Sequence, residues 1–253
     1  MARSSVARLA LFSFYALALM SARASAQPPA APAAPTGPWT GSAGAGLAVT
    51  SGNSDTSNFN ASYDVTYDPK TNNVVKSDAL YLRAKTGGNL TVNRLGFNAR
   101  DQYSLTARAF IYGQLQFLHD TFKEIDYLVA PTAGVGYKLV DETQTTLAVD
   151  AGVGAVREKN PNLAATTSGA LTASEHFMHK LSDLATVTQQ VAGLWKTSDV
   201  GDSLYTFGAA LAASLTSKSQ LRIELLDTYK GKPPNPAIKK NDVATVFSIG
   251  YKF

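Results

Sequence analysis

The chain has 253 residues, 45% of them apolar and only 17% charged, with 19 glycines, 11 tyrosines, 11 phenylalanines and no cysteine. That composition fits neither a disordered acidic chain nor a disulfide scaffold, and it excludes a thiolate metal site and a cysteine nucleophile. Three of the 23 basic residues, Arg3, Arg8 and Arg23, fall in the first 26 positions, which hold no acid, so 20 basic residues face 19 acidic ones in the remainder and no electrostatic case for a nucleic-acid partner survives.

The first 26 residues have the three-part layout of a cleaved secretory signal peptide: Arg3 and Arg8, then an apolar run over Leu9–Met20 broken only by Ser13, then Ala24-Ser25-Ala26 before Gln27. A transmembrane anchor would need about 20 apolar residues, more than the run supplies. Residues 27–38 are rich in Pro and Ala, a stiff extended lead on the periplasmic side that cannot build a core.

From Trp39 onward the period is two. In 57–67, Phe59, Ala61, Tyr63, Val65 and Tyr67 alternate with Asn58, Asn60, Ser62, Asp64 and Thr66. In 127–139 the odd face runs Tyr127, Val129, Pro131, Ala133, Val135, Tyr137, Leu139, against Gly134 and Gly136 on the even face. The pattern recurs in 145–157, 203–215 and 219–230, and in the last eleven residues, where Val243, Thr245, Phe247, Ile249, Tyr251 and Phe253 oppose small or polar neighbours. About twelve such segments, each long enough to cross a bilayer, predict a 12-stranded antiparallel up-and-down transmembrane β-barrel over residues 39–253. A soluble sandwich also alternates, but lipid demands that sheet edges close on themselves, and the small second face fits a lumen.

Connections fall into tight turns near Thr106, Asp141, Ser182 and Ser217, and longer stretches over 87–94, 121–126, 158–166, 196–202 and 231–241. Short periplasmic turns and longer external loops are the expected asymmetry of such barrels, and an even strand count places both termini on the periplasmic side. Tyr67, Tyr103, Tyr137, Tyr251 and Phe253 then fall in one aromatic girdle, and Phe117, Phe122, Tyr127 and Tyr205 in the other.

Trp39-Thr40-Gly41, Thr50-Ser51-Gly52-Asn53-Ser54-Asp55-Thr56, Thr91-Val92-Asn93-Arg94-Leu95, Asp120-Thr121-Phe122, Gly134-Val135-Gly136-Tyr137 and a proline-bearing loop with Lys239 and Asp242 occur in that order. The series resembles an uncharacterised family described as salt-induced outer-membrane proteins, over essentially residues 39–253. The resemblance implies a bacterial outer-membrane barrel of about this size and assigns no activity. A closing strand that ends in Phe253 likewise resembles those read by the barrel assembly machinery, which would make that machinery a partner.

No enzyme, cofactor or metal site is expected. An outer-membrane lipid hydrolase would need a His within reach of a Ser and a third group orienting the His, and none of His119, His176 and His179 stands in the His-x-Ser arrangement of the outer-membrane phospholipases. His176 and His179, three apart on a strand, point to opposite faces and cannot share a metal. The glycines at 134 and 136 precede no helix and so form no nucleotide cradle; they relieve crowding on the inner face.

Inward charges carry the functional expectation. With Leu80, Leu82 and Ala84 facing lipid, Tyr81, Arg83 and Lys85 point inside, followed by Asn98, Arg100 and Gln102 and by Arg108, Gln114 and Gln116. That basic, amide-rich wall faces Asp64, Asp150, Arg222 and Glu224 on other strands. Asp78, Asp101 and Glu175 fall on faces assigned to lipid, excusable at a bulge or an interface. Twelve strands lie between the filled eight-stranded barrels and the open porins. The expectation is a narrow passive pore for small polar or anionic solutes, or an envelope protein of osmotic or salt stress. The competing reading is a non-conducting barrel whose external loops bind a partner.

Overall fold

The computed structural model describes residues 37–51, 56–86 and 89–253; the signal segment and residues 27–36 of the lead lie outside them. Twelve strands follow one another: β1 (Trp39–Ser51), β2 (Thr56–Tyr67), β3 (Asn73–Thr86), β4 (Asn89–Ser104), β5 (Ala109–Asp120), β6 (Ile125–Asp141), β7 (Thr145–Lys159), β8 (Thr166–Lys180), β9 (Ala185–Lys196), β10 (Asp199–Ser214), β11 (Ser219–Lys230) and β12 (Asn241–Lys252). Each pairs antiparallel with its neighbour, and β1 pairs with β12, which closes the sheet into the expected barrel. The closing seam runs in register from Ser42 opposite Lys252 to Ser51 opposite Val243. Strand β1 begins, and β12 ends, at what is called here the terminal end; the opposite mouth is the distal end.

The outward faces carry the large apolar residues. Val135, Val153 and Ile249 are each 63% exposed, a surface that only hydrocarbon would cover favourably. Among the described residues no helix is long and apolar enough to cross a membrane.

Three terminal-end turns repeat one device. Leu105, Leu181 and Leu215 each begin a four-residue turn followed by a hydroxyl residue, Thr106, Ser182 or Thr216. The backbone N–H of that leucine donates to Ala109, Ala185 or Ser219, at 2.9 Å in all three. The hydroxyl then accepts the N–H groups two and three residues on, as Thr106 does from Arg108 at 3.2 Å and Ala109 at 2.9 Å. Backbone donors that the turn would otherwise orphan are satisfied locally.

The expected loop asymmetry is weaker than the sequence suggests. The stretches 87–94 and 196–202, read as long loops, are mostly strand, because β4 starts at Asn89 and β9 and β10 are separated only by Thr197 and Ser198. Register shifts at Ala84/Lys85 and Asp199/Ser203 absorb the irregularity and let pairing continue to the distal rim. The longest described connection is 231–240, before β12.

The orientation of β3 is also corrected. Its pairing sets Asp78 between Asp64 and Asn98, with Leu80, Leu82 and Ala84 on that same inner face, so Tyr81 and Arg83 point outward. Leu82 is 1% exposed and packs in the lumen with Ala84, Val92, Phe122, Ala244 and Val246. The assumption that apolar residues must face lipid fails where the lumen itself has an apolar filling.

Candidate functional site: a septum and a vestibule in the lumen

The lumen divides into two zones. In the distal half, inward residues from strands that are not neighbours meet across the interior. One apolar cluster joins Leu118, Leu128, Val156, Ala170, Leu194 and Leu204; the Leu82 cluster faces it from β3, β4 and β12. Between β5 and β6 a single 3₁₀ turn, Thr121–Lys123, folds inward. Asp120 caps this turn by accepting the Phe122 N–H at 2.8 Å, and Phe122, expected in the external girdle, is buried in the lumen.

Charge pairs bind this septum together. Lys123 Nζ, fully buried, reaches Asp242 of β12 at 2.6 Å and donates to the carbonyls of Lys240 at 2.8 Å and Lys239 at 3.2 Å. Burial pushes the Lys123 ammonium below its ordinary pKa, and the Asp242 carboxylate pulls it back up. Arg94 of β4 pairs with Asp120 at 3.1 Å and donates to Thr228 of β11 at 2.9 Å. Glu158 of β7 holds Lys230 of β11 at 2.9 Å and Lys196 of β9 at 2.8 Å; both lysines also grip Asp202, at 2.8 and 2.5 Å. Four cations thus face four anions. A buried charge persists only when so paired, and two of these pairs cross the lumen: Glu158–Lys230 joins β7 to β11, and Lys123–Asp242 joins the turn after β5 to β12.

The terminal half is open and polar. Lys76, Asp78, Asp64 and Gln190 lie on the inner face and remain exposed, so this part of the lumen is accessible to solvent. Its floor against the septum is a cavity of about 40 Å³ lined by Gln116, Thr132, Thr172, Gln190 and Thr206, ending on Leu194 and Leu204. On one wall Arg100 bonds Asp150 at 2.9 Å and Gln114 at 3.1 Å, with its guanidinium 3.7 Å from the Tyr112 ring centre. Tyr112 and Phe110 reach over Gly134, Gly136 and Gly152: a Cβ at Gly136 would stand 2.2 Å from Phe110 Cζ, and one at Gly152 2.5 Å from the Tyr112 hydroxyl. These glycines seat the rings that carry Arg100, a sharper role than relief of crowding.

Of the residues expected to line the lumen, Arg100, Gln114, Gln116, Asp64, Asp150, Arg222 and Glu224 face inward as read, Arg222 bonding Glu224 at 3.0 Å. Arg83 does not: it is exposed on the outer face beside Phe59 and Asn93. Arg108 lies in the turn before β5 and not in the wall, where its carbonyl accepts the Lys138 N–H. Asp78 is inward, and Asn98 donates to it at 2.9 Å. Asp101 stays outward, beside Tyr103. The septum charges Arg94, Asp120, Lys123, Glu158, Lys196, Asp202, Lys230 and Asp242 were not read as lumen residues, since they sit in segments taken for loops or loop edges. Their one signal is the density of lone charges at the distal ends of otherwise apolar strands.

Ser174, His176 and Asp150 do meet, yet without the order a nucleophile needs. Ser174 donates to Asp150 at 2.6 Å, and His176 Nε2 contacts both Ser174, at 3.1 Å, and Asp150, at 3.4 Å. A relay requires the acid on one ring nitrogen and the hydroxyl on the other. His176 and His179 point to opposite faces as expected, His179 lying outward against Thr145 at 2.9 Å. His119 is outward too, held by the Asp126 carbonyl at 2.8 Å and Asn93 at 3.1 Å.

The geometry agrees with the comparisons. Among solved structures, the NanC porin aligns with a TM-score of 0.55 and 8% identity over 85% of this chain and all of that one. An outer membrane channel from Pseudomonas putida F1 aligns at 0.50 and 14%, over 90% of this chain and all of that one. The fold is therefore that of outer-membrane channels and porins. By sequence, the uncharacterized protein YdiY of Escherichia coli strain K12 is 25% identical over 226 residues, 87% of this chain and 85% of that protein. The model of the family described as "Protein of unknown function, DUF481" matches residues 43–253, and the chain belongs to that family.

Proposed function

We propose that this protein is a narrow, gated passage in a bacterial outer membrane for small polar or anionic solutes, exported by a cleaved signal over residues 1–26 and assembled through its Phe253-ended closing strand. Both termini then lie in the periplasm, the solvent-accessible vestibule opens to that side, and the septum lies toward the exterior. The observation that carries this reading is the make-up of the septum: a water-accessible polar half ends on a plug cross-linked by four cations and four anions. A plug that only filled space would be served as well by apolar side chains, because buried ion pairs regain little beyond their desolvation cost. Charged groups recover hydration when a plug opens to water, which lowers the free energy of an open state. Similarity in fold to a porin and to an outer membrane channel supports the same reading. A switch under osmotic or salt stress fits a gate made of ion pairs, since screening weakens the pairs as they hydrate.

The two apolar clusters favour a second reading, a permanently closed structural barrel. Recordings from the full barrel in planar bilayers separate the two. The gated reading expects brief discrete openings in the wild type, and expects Lys76→Glu, at an exposed inner-wall cation of the vestibule, to shift selectivity toward cations. Silence of the wild type at all voltages, together with silence of a septum variant such as Lys123→Met, rejects the passage.

A further inference from the structure

The outward surface of the described strands carries a carboxyl group at mid-depth. Glu175 of β8 points outward, opposite Val149 of β7 and Val191 of β9. Gln189 of β9 points outward beside it, opposite Phe177 and Ala209, and donates its amide to Glu175 Oε2 at 3.2 Å. Four residues toward the distal end, Leu171 pairs with Trp195, whose indole donates to Tyr205 at 2.9 Å in the distal aromatic girdle. Four residues the other way lies His179, bonded to Thr145. At the rise and tilt of a barrel strand, four residues climb about 10 Å, so Glu175 sits near the middle of an apolar band about 25 Å tall. The other outward ionisable side chains among the described strand residues, such as Arg83, Asp101, Arg157 and Asp227, lie toward the rims.

An ionisable group at that depth is costly in lipid and is retained where a partner satisfies it. Gln189 supplies part of that partnership with one amide hydrogen and uses one carboxylate oxygen, leaving each group a second donor or acceptor. Ala151, Ala173 and Ala209 flank the pair among the larger Val149, Phe177 and Val191, and small side chains let backbones approach closely in a membrane. A two-fold axis along the membrane normal brings one depth against the same depth, so the second amide hydrogen of each copy meets the second carboxylate oxygen of the other. A donor and an acceptor side by side at one height are self-complementary under that operation, and closed two-fold pairs are the commonest assembly of identical chains.

We propose that the outer face of β7–β10 is the interface for a second copy of this chain, centred on Glu175 and Gln189. This inference holds whether or not the lumen conducts. The chain has no cysteine, so a single introduced thiol reports the contact. Val191→Cys, between the two polar residues, and Ala61→Cys, on the outer face of β2 across the barrel, are each oxidised in native outer membranes. The expected result is a disulfide dimer at least tenfold more abundant for Val191→Cys than for Ala61→Cys. Adding Glu175→Leu and Gln189→Leu, which suit lipid better than the native pair, is expected to cut the Val191→Cys dimer to the Ala61→Cys level while heat-modifiable migration of the folded barrel is kept. Equal cross-linking at the two positions, an undiminished dimer in the leucine variant, or an adduct with a different protein in place of the dimer overturns the proposal.

Discussion

Lys123→Met removes the charge that latches the inward turn while keeping most of the side-chain length. In the closed lumen the ammonium makes an ion pair with Asp242 at 2.6 Å and two bonds to the Lys239 and Lys240 carbonyls. Taking one partner from a buried pair costs about 3–5 kcal/mol, chiefly because the other charge stays desolvated. At about 1.4 kcal/mol per tenfold, the closed arrangement loses between about a hundredfold and a few thousandfold in weight against one that hydrates Asp242. The readouts are urea unfolding of the barrel in vesicles, followed by the fluorescence of Trp39 and Trp195, and open probability in planar bilayers. The single variant is expected to lose stability and to open far more often. Lys123→Met combined with Asp242→Asn leaves no isolated charge and is expected to recover most of the loss, a coupling that a double-mutant cycle reads directly. A Lys123→Met barrel within about 1 kcal/mol of the wild type and equally shut would refute the reasoning, because the latch would then carry neither stability nor closure.

Other outcomes follow from the same contacts. Gly136→Ala places a methyl 2.2 Å from Phe110 Cζ, so the ring must leave its seat; a loss of roughly 1–3 kcal/mol by urea unfolding is expected, and Phe110→Ala should make the glycine change far better tolerated. Arg100→Leu strips the guanidinium from Asp150, whose own exposure is slight, and is expected to cost about 3–5 kcal/mol; Arg100→Leu with Asp150→Asn should restore much of it, whereas a double variant whose loss is the sum of the two single losses would show that the pair is not coupled. Thr106→Ala, Ser182→Ala and Thr216→Ala each orphan turn donors and should each cost roughly 0.5–2 kcal/mol, additively, since the turns lie apart on the rim. His176→Ala is expected to leave lipid release from mixed micelles at the level of the wild type, and hydrolysis by the wild type that this variant abolishes would overturn the reading of Ser174, His176 and Asp150 as a structural cluster.

The alternation in residues such as Phe59 to Tyr67 and Val243 to Phe253 was enough to determine strands, their number and their closure, because one face of every strand must suit hydrocarbon and the solvent admits no open edge. Parity was legible wherever the inner face was polar, as at Asp64, Arg100, Asp150 and Glu224. It misled on β3, where Leu80, Leu82 and Ala84 look lipid-facing by composition and are inward, because a strand cannot announce whether the apolar surface waiting for it is lipid or a plug. The septum has no local pattern at all. Lys123 and Asp242 are 119 positions apart, and Glu158 and Lys230 are 72 apart; each reads alone as a solvated charge. Only closure of the barrel sets them face to face at hydrogen-bonding distance in a dry interior, and that juxtaposition, which no single strand encodes, decides whether the lumen is a channel, a vestibule or a wall.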